Sequence, residues 1–357
     1  MKKFLSILML LALLFMVGCE KDDEKTDVVL SGILLTESDF ISGYFGVVDT
    51  TSNNHTKGMV IDQDAKILVA GGSTYILEKT TSSIICFESD GDVEYQKSII
   101  AGYNPQDLVA SGKTGYVIGY DKAQLYVLNL ENGTITDSID LSGFANNNTT
   151  PNAISLALVG NDLYVGMQRL EAGAWAPSAV SYIGVIDITT KSIVDTIICE
   201  GYNLSQLIKD GSDIYVLNSG DTYGSKDFAT IEKVNSTDNS ITTLMVAKVD
   251  GDPILSFTQR SGNEFYAVTY HDLGNRKSSS PVYRIDVTSG SVLDTVAGIA
   301  NAFGGIVYDA SRSMLYAGER GDALVADAPF GVALYDEVLD SVTLINTELP
   351  PSSLVLK

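Results

Sequence analysis

The chain has 357 residues, and its 45 Asp and Glu outnumber its 23 Lys and Arg, which leaves a formal charge of −22 at neutral pH. A surface this acidic repels phosphate backbones, so nucleic acid is disfavoured as a partner. Only two histidines are present, His55 and His271, which excludes a histidine-rich metal site. The length is ample for a large core and is compatible with two domains or one closed repeat structure.

The first 18 residues have the organisation of a secretory signal peptide. Lys2 and Lys3 precede an apolar run of 14 residues, and the small residue Gly18 follows it. A membrane-spanning helix needs about 20 residues, so this run is too short to be one. A basic start, a short apolar stretch and a small residue at its end are typical of a leader that is removed. We therefore predict a signal peptide over residues 1–18.

The end of this leader, Met16-Val17-Gly18-Cys19, resembles the lipobox of bacterial lipoproteins. In that family the cysteine receives a diacylglycerol and an N-linked acyl chain such as palmitate, and cleavage makes it the first residue. The resemblance implies that Cys19 is lipidated and that the mature protein is anchored to a membrane. Two or more acyl chains hold a protein stably at a bilayer, whereas one chain binds only marginally.

The acidic stretch at residues 20–24 has two interpretations. It resembles the export signal of surface-exposed lipoproteins in some Gram-negative bacteria, which implies the outer leaflet of the outer membrane. The alternative is that residues 19–26 are only a solvated, disordered tether, with the protein facing the periplasm. We favour the cell surface.

The mature chain contains an internal repeat. The segment GYNPQDLVASGKTGYVIGYD begins at Gly102, and GYNLSQLIKDGSDIYVLNSGD begins at Gly201, an offset of 99 residues that corresponds to two units. Each unit has four short runs rich in Val, Ile, Leu and Tyr with polar or glycine-rich turns between them, which predicts strands and hairpins. Four such strands in about 40–50 residues are typical of a β-propeller blade. Six units begin near residues 59, 101, 150, 200, 251 and 299.

The two ends of the chain predict a seventh blade. The segment from residue 27 supplies only three strands, and the C-terminal LPPSSLVLK supplies one that is similar to a first strand. A blade built from both ends closes the ring and leaves no open sheet edge. We therefore predict an all-β, seven-bladed β-propeller as one monomeric domain over residues 27–357, with six blades as the alternative. Cys86 and Cys199 fall in non-adjacent units, so we expect buried free thiols rather than a disulfide.

The third and fourth strands of the units carry a family resemblance. QLYVLNLENGTITDSIDL and YIGVIDITTKSIVDTI are similar to the repeats of YVTN/YncE-type propellers, in which an aspartate at the end of the third strand precedes a threonine-rich turn. Asp187 and Asp286 match this aspartate, whereas Asn129 and Asn235 replace it in two units. The resemblance implies the propeller fold over most of the mature chain. It says little about function, because propellers host many unrelated activities.

One face of such a propeller is predicted to bind a ligand. The loops between strands two and three and the connections between blades share this face, and the strand two to three loops are long in four units. Function concentrates in such loops, and exposed aromatic residues and arginines are enriched at binding hot spots. The alternative is that these side chains only pack on one another. The candidates are Trp175, Tyr223, Phe228, His271, Arg276, Arg320 and Phe330 in the loops, and Tyr103, Asn104, Asn152, Tyr202, Asn203, Asp252 and Phe303 near the channel mouth.

A second pattern is an aspartate that recurs where the second strand ends. A ring of carboxylates would suit a hard cation such as Ca²⁺. Aspartate is also a common turn former, and one per blade at a hairpin start favours that interpretation. Cofactors are otherwise not indicated, because the single tryptophan argues against a quinone-type propeller and a Cys-x-x-Cys-His haem motif is missing. The four aspartates are Asp121, Asp221, Asp272 and Asp322.

These observations favour a binding protein over an enzyme. The chain has no Gly-x-Ser-x-Gly elbow, His271 is the only histidine on the candidate face, and His55 is predicted in an exposed turn. Our first hypothesis is a surface lipoprotein that captures a small ligand, such as a cofactor, siderophore or glycan, beside an outer-membrane transporter. The second is an adhesin or scaffold that binds another protein through the same face. The third is a metal-dependent, lactonase-like hydrolase, which needs the aspartates to bind the metal.

Overall fold

The structure is a computed structural model that describes residues 30–171, 177, 179–221, 229–274, 277–321 and 328–357. These residues form seven antiparallel blades arranged in a ring, which confirms the seven-bladed β-propeller and shows that the six-bladed alternative is wrong. Within this part of the chain the one helical element is a 3₁₀ turn at Ser142–Phe144. No helix among the described residues is long and apolar enough to cross a membrane.

The strands, in chain order, are β1 (Ile33–Ser38), β2 (Gly43–Asp49), β3 (Asn54–Ile61), β4 (Ala65–Ala70), β5 (Ser73–Glu78), β6 (Ser83–Phe87), β7 (Val93–Ser98), β8 (Pro105–Ser111), β9 (Thr114–Gly119), β10 (Gln124–Asn129), β11 (Thr134–Asp140), β12 (Ala153–Val159), β13 (Asp162–Met167), β14 (Tyr182–Asp187), β15 (Ser192–Ile198), β16 (Leu204–Asp210), β17 (Asp213–Asn218), β18 (Thr230–Asn235), β19 (Ser240–Val246), β20 (Lys248–Val249), β21 (Asp252–Ser261), β22 (Glu264–Thr269), β23 (His271–Gly274), β24 (Lys277–Ser279), β25 (Val282–Asp286), β26 (Ser291–Thr295), β27 (Ile306–Asp309), β28 (Met314–Glu319), β29 (Gly331–Asp336), β30 (Ser341–Asn346) and β31 (Pro351–Leu356).

Each blade has its first strand at the ring centre and its fourth strand outermost. Blades 1 to 4 are β4–β7, β8–β11, β12–β15 and β16–β19, and blade 6 is β27–β30. Blade 5 is β21, β22, β25 and β26, with β20 paired to its inner strand and β23–β24 forming a separate hairpin. Each inner strand also contacts the inner strands of both neighbouring blades, which closes the ring.

Blade 7 joins the two ends of the described chain, as the sequence predicts. Its inner strand is β31, which pairs antiparallel with β1, so that Leu34 lies opposite Val355. The backbones of Gly32 and Lys357 exchange two hydrogen bonds of 3.1 and 2.9 Å at the end of this pair. The closing pair leaves neither strand with a free edge inside the ring.

The core lies between blades rather than within any one of them. Neighbouring blades cover both faces of the second and third strands, so these strands are nearly continuous apolar runs instead of alternating ones. Every residue of β6 is buried, for example, whereas every residue of the outermost strand β26 is exposed. One apolar cluster joins Leu77 and Cys86 of blade 1 to Val117 and Leu128 of blade 2.

The aspartate or asparagine of the repeat motif builds the turn between the third and fourth strands. The Oδ1 atom of Asp187 accepts hydrogen bonds from the backbone N–H groups of Thr189 and Thr190, at 2.7 and 3.1 Å. Asn129 and Asn235 accept the equivalent bond with their amide oxygens. An Asx turn needs only this acceptor, which explains why Asn replaces Asp in two blades.

The structure corrects one prediction and agrees with another. His55 is not in an exposed turn but on β3, where its side chain is 9% exposed and its Nε2 lies 2.8 Å from Oε1 of the fully buried Glu37. The polar run around His55 looks like a turn, yet the turn ends at Asn53, which has a φ of 57°. Cys86 and Cys199 are both free and buried, as predicted.

Candidate functional site

Strand direction divides the ring into two faces. Because successive strands of a blade are antiparallel, the loops joining strands two and three lie on the same side as the connections between blades. We call this side the upper face and the opposite side the lower face. On the lower face, the turn between strands one and two has two residues in five blades. The long upper-face loops cover residues 168–181, 219–229, 270–281 and 320–330.

Part of the predicted site lies outside the described residues, and so does the predicted lipid attachment residue. The candidates concerned are Cys19, Trp175, Tyr223, Phe228, Arg276 and Asp322. The candidates that are described fall into two groups, buried supports of the loops and side chains at the surface.

Two predicted ligand contacts are buried supports. Tyr103 has no exposed surface, and its hydroxyl lies 2.8 Å from the carbonyl oxygen of Val117 and 2.9 Å from that of Gln124, inside blade 2. Asn152 is 5% exposed, and its Oδ1 accepts a hydrogen bond of 3.2 Å from the backbone N–H of Leu170. Neither side chain presents surface to a ligand in this structure. Their polar atoms are used to hold blade and loop together.

The asparagines before the inner strands share a backbone role. Asn104, Asn152 and Asn203 all have positive φ, at 54°, 55° and 61°, a region that asparagine tolerates better than most residues. The Nδ2 of Asn104 donates to Asp121 at 2.9 Å, and the Nδ2 of Asn203 donates to the carbonyl oxygen of Gly220 at 3.0 Å. Each amide thus ties the connection between two blades to the end of a second strand.

Buried carboxylates make a further set of ties that the sequence analysis missed. Oε2 of Glu319, at the end of β28, accepts the backbone N–H groups of Ala300 and Asn301 at 2.9 and 3.0 Å, and Oε1 accepts that of Gly321 at 2.9 Å. Glu319 is only 6% exposed. A carboxylate is a strong acceptor, so it satisfies N–H groups that the connection cannot pair by itself.

The same arrangement recurs at three other connections. Glu78 accepts the N–H of Asp62 at 3.0 Å, and Glu37 accepts that of Leu349 at 2.9 Å. Each of these glutamates lies in the last two residues of a second strand. Glu232, at the start of β18, accepts the N–H groups at positions 200 and 201. Its burial raises the pKa of its carboxyl group. For Glu37, Glu78 and Glu319 the signal in the sequence is a single glutamate near the upper end of a mostly apolar strand, whereas β18 is too polar to show it.

An arginine and two aromatic rings meet on the upper face of blades 6 and 7. The guanidinium carbon of Arg320 lies 4.7 Å from the ring centroid of Phe40 and 5.8 Å from that of Phe303. Both distances are within the range of cation–π attraction. Phe40 is 67% exposed and Phe303 is 49% exposed. The sequence named Arg320 and Phe303 as candidates but missed Phe40, which lies in a short loop.

The loop that carries Phe40 is held in one conformation. Asp39 Oδ1 accepts the backbone N–H groups of Ile41 and Ser42 at 2.8 and 2.6 Å, and Ser38 Oγ accepts that of Phe40 at 2.9 Å. Phe40 itself has a φ of 68°, which is a strained value for a bulky side chain. Strain of this kind collects at functional sites.

The other described loop candidates are partly exposed. His271 is half-exposed, and its Nδ1 lies 2.9 Å from the carboxylate of Asp252. This pair joins the β23–β24 hairpin to the start of β21, and the structure places no nucleophilic side chain in hydrogen bond with either member among the described residues. Tyr202 and Phe330 are half-buried on the same face.

The aspartates at the ends of the second strands do not form a ring in the described chain. Asp121 is bound to Asn104, and Oδ1 of Asp272 accepts the N–H of Gly274 at 2.8 Å within its own hairpin. Asp221 also has an interaction partner. Among the described residues no three His, Cys, Asp or Glu side chains come close enough together to hold a metal ion. Of the described members, Asp272 forms a turn within its hairpin, whereas Asp121 binds the side chain of Asn104.

The inner strands line an open cavity of about 380 Å³ at the ring centre, with both polar and apolar side chains in its wall. Lys66 and Asp107 form an ion pair of 3.1 Å between blades 1 and 2. Side chains of the inner strands also accept backbone N–H groups of the next blade, as Asp107 does from Leu156 at 2.8 Å and Ser155 does from Leu207 at 3.1 Å. Among the other residues that line the cavity are Ser205, Ser256, Ser352, Ser353 and Phe303.

Comparison with known proteins identifies the fold. No protein-family model and no curated protein matches the chain. Several solved structures do match. A Bacteroides fragilis protein proposed to be a 6-phosphogluconolactonase has a TM-score of 0.60 at 13% identity, over 90% of this chain and 96% of that one. Hydrazine synthase of Kuenenia stuttgartiensis has a TM-score of 0.59 at 13% identity, over 83% and 91% of the two chains.

A third similar structure is apo AztD from Citrobacter koseri, with a TM-score of 0.55 at 12% identity over 91% of this chain and 97% of that one. These three proteins have different names and share the ring of blades. At such low identity the likeness extends to the fold alone, because propellers support many unrelated functions. The chain is therefore a seven-bladed β-propeller.

Proposed function

We propose that the mature protein is a non-enzymatic binding module of the YVTN/YncE type, anchored through a lipid on Cys19 to the outside of an outer membrane, and that its upper face captures a small ligand for an uptake system. One observation carries the binding role: Phe40 and Phe303, both exposed, flank the half-buried Arg320 on the face that also bears the four long loops. Arginine and large aromatic residues dominate binding hot spots.

The position of the chain start supports this orientation. β1 is the second strand of blade 7, so it begins on the lower face. Cys19 precedes the first described residue, Leu30, by eleven positions, and such a segment can extend by about 40 Å at most. A lipid on Cys19 would therefore hold the lower face toward the membrane and leave the upper face directed away from it.

The anchor can be tested directly. In a Gram-negative host grown with labelled palmitate, the wild-type protein should incorporate label and sediment with the outer membrane. Cys19→Ser should do neither. Protease added to intact cells should digest the wild-type protein if it faces outward. Protection from protease together with labelling would support the periplasmic orientation and contradict the surface assignment.

The binding role can be tested with a thermal-melt screen of residues 26–357, which contain every strand of the ring. Corrinoids, haem, siderophores, glycans and Ca²⁺ are the compounds to include, because a ligand that binds the native state raises the melting temperature. Trp175→Ala or Tyr223→Ala should abolish the shift. Val338→Ala, at an exposed turn of the lower face, is the matched control and should keep it.

A protein partner is the second candidate function, and one observation favours it. Ile41 is 84% exposed beside Phe40, so the turn at residues 39–42 presents two apolar side chains to solvent. No shift with any small molecule, combined with a cross-link to a membrane protein at this turn, would favour the scaffold hypothesis. A shift with Ca²⁺ alone would favour the lactonase-like hypothesis, which gains no support from the described aspartates.

A further inference from the structure

Arg320 differs from the other described arginines in what it binds. Arg260, Arg284 and Arg312 each lie within 4.0 Å of a carboxylate. Arg169 has no carboxylate partner, but its guanidinium donates to two backbone carbonyl oxygens at 2.9 and 3.1 Å and stacks on Tyr182. Each of these four guanidinium groups is therefore used within the fold.

The guanidinium of Arg320, by contrast, makes a single long hydrogen bond within the part of the chain that the structure describes. Its Nη2 donates to the carbonyl oxygen of Ser38 at 3.3 Å, and no carboxylate of the described chain lies within ion-pair distance. The neighbouring Glu319 forms no ion pair with Arg320, and its two oxygens accept backbone N–H groups of the connection instead. Burial lowers the pKa of Arg320, which reflects the lost hydration of a cation without a counter-ion. In a chain with a formal charge of −22, a half-buried arginine that has no carboxylate partner among the described residues is suited to bind an anionic ligand.

The surroundings of Arg320 define the rest of such a ligand. The rings of Phe40 and Phe303 stay half or more exposed although they flank the guanidinium, so flat apolar surface lies beside the charge. Phe303 also lines the central cavity of about 380 Å³, together with hydroxyl-bearing residues such as Ser256 and Ser352. A ligand held at Arg320 can therefore extend over Phe303 toward the channel.

We propose that Arg320, Phe40 and Phe303 form an anchor for a small organic anion that carries a carboxylate next to an aromatic or other flat apolar group. The guanidinium would bind the carboxylate through paired N–H donors, and the two rings would stack against the apolar group. This inference rests on the proposed binding function of the upper face and names the chemical class that the face selects.

The test uses the full chain purified in detergent and titrated with small probes by ligand-observed NMR and calorimetry. Phenylpropionate and indole acetate carry both features, whereas propionate lacks the ring and 3-phenylpropanol lacks the charge. The two complete probes should bind saturably, with a dissociation constant on the order of 1 mM, and each incomplete probe should bind at least about tenfold more weakly.

The variants separate the anchor from general surface binding. Arg320→Met and Phe303→Ala should each weaken phenylpropionate by about tenfold or more, and Arg320→Lys should recover only part of the affinity because it loses the paired donors. Arg312→Gln, at a paired arginine of the lower face, is the control and should bind like the wild type.

Three outcomes would overturn the anchor: no saturable binding of either complete probe, equal binding of 3-phenylpropanol, or unchanged affinity in Arg320→Met. If a ligand from the thermal-melt screen bound the Arg320→Met variant as tightly as the wild type, this inference would be wrong, but the proposed function would still hold. Absence of any ligand in both experiments would defeat the proposed function as well.

Discussion

Replacing Glu319 tests whether buried carboxylates hold the connections between blades. Its two oxygens accept three backbone N–H groups, from Ala300, Asn301 and Gly321. In Glu319→Ala all three lose their acceptor. Gly321 is buried, so its N–H cannot turn to water, whereas the other two residues are half-buried and can recover part of the loss.

The expected magnitude follows from these environments. A hydrogen bond to a charged group contributes about 1.5–3 kcal/mol net, and an unsatisfied buried donor costs a similar amount. The N–H of Gly321 would be left without an acceptor, and those of Ala300 and Asn301 would be partly hydrated. Glu319→Ala should therefore lower the free energy of unfolding by about 3 kcal/mol. Glu319→Gln keeps one acceptor oxygen and should lose about half as much. The connection also carries Phe303, so both variants should weaken ligand binding at the upper face.

The assay is equilibrium unfolding in urea, followed by tryptophan fluorescence and circular dichroism. The control is Glu131→Gln, because Glu131 forms an exposed ion pair with Lys113 and such solvent-screened pairs contribute little to stability. The unfolding free energy must depend on urea concentration with the same slope in all variants. Only then do differences in the unfolding midpoint report differences in stability. If Glu319→Ala unfolded at the same urea concentration as the control, the carboxylates would be incidental to the loops and the reasoning would fail.

Three further predictions concern the closure of the ring, the Asx turns and a buried cysteine. Removing residues 351–357 deletes β31 and exposes the edge of β1, so size-exclusion chromatography should show aggregates or oligomers, and a monomer of unchanged stability would contradict the closure argument. Backbone hydrogen bonds lower the pKa of Asp187 and Asp286 in the folded state. Their ionised forms therefore stabilise the fold above the usual aspartate pKa of about 4, and this stabilisation should be lost as the pH falls from that value through the lowered pKa of the folded state. The melting temperature against pH should therefore be flatter in the Asp187→Asn/Asp286→Asn double variant, and an identical curve would refute the assignment. Burial raises the pKa of Cys199, so a thiol reagent at neutral pH should react only after unfolding, and rapid labelling of the native protein would show that the thiol is accessible.

The repeat and its closure were predictable because they depend on local signals. Short apolar runs separated by Gly, Asn and Asp turns fix the number of strands, and a spare first strand at the C-terminus specifies how blade 7 closes. The Asx turn at Asp187 involves residues two and three positions apart, so it can be recognised without tertiary structure. The buried state of both cysteines likewise follows from the apolar strands that contain them.

The roles of polar side chains were less predictable, as Tyr103 and His55 illustrate. Tyr103 looks like a residue at the channel mouth, yet its ring fills a gap in blade 2 and its hydroxyl bonds to the backbone there. His55 lies in a polar run that suggests a turn, yet it pairs with Glu37, 18 residues away. A hydrophobic pattern reports which positions are buried but does not report which buried polar group meets which partner.

The sequence by itself therefore determined the seven blades, the closure of the ring and the face that carries the long loops, since each depends on strand period, turn chemistry and connection length. Only the tertiary structure decided which side chains share that face as a site. Phe40 and Arg320 are 280 positions apart, and they meet because the ring brings blade 7 beside blade 6. Pairing over such a distance depends on how blades are stacked, which no local pattern encodes.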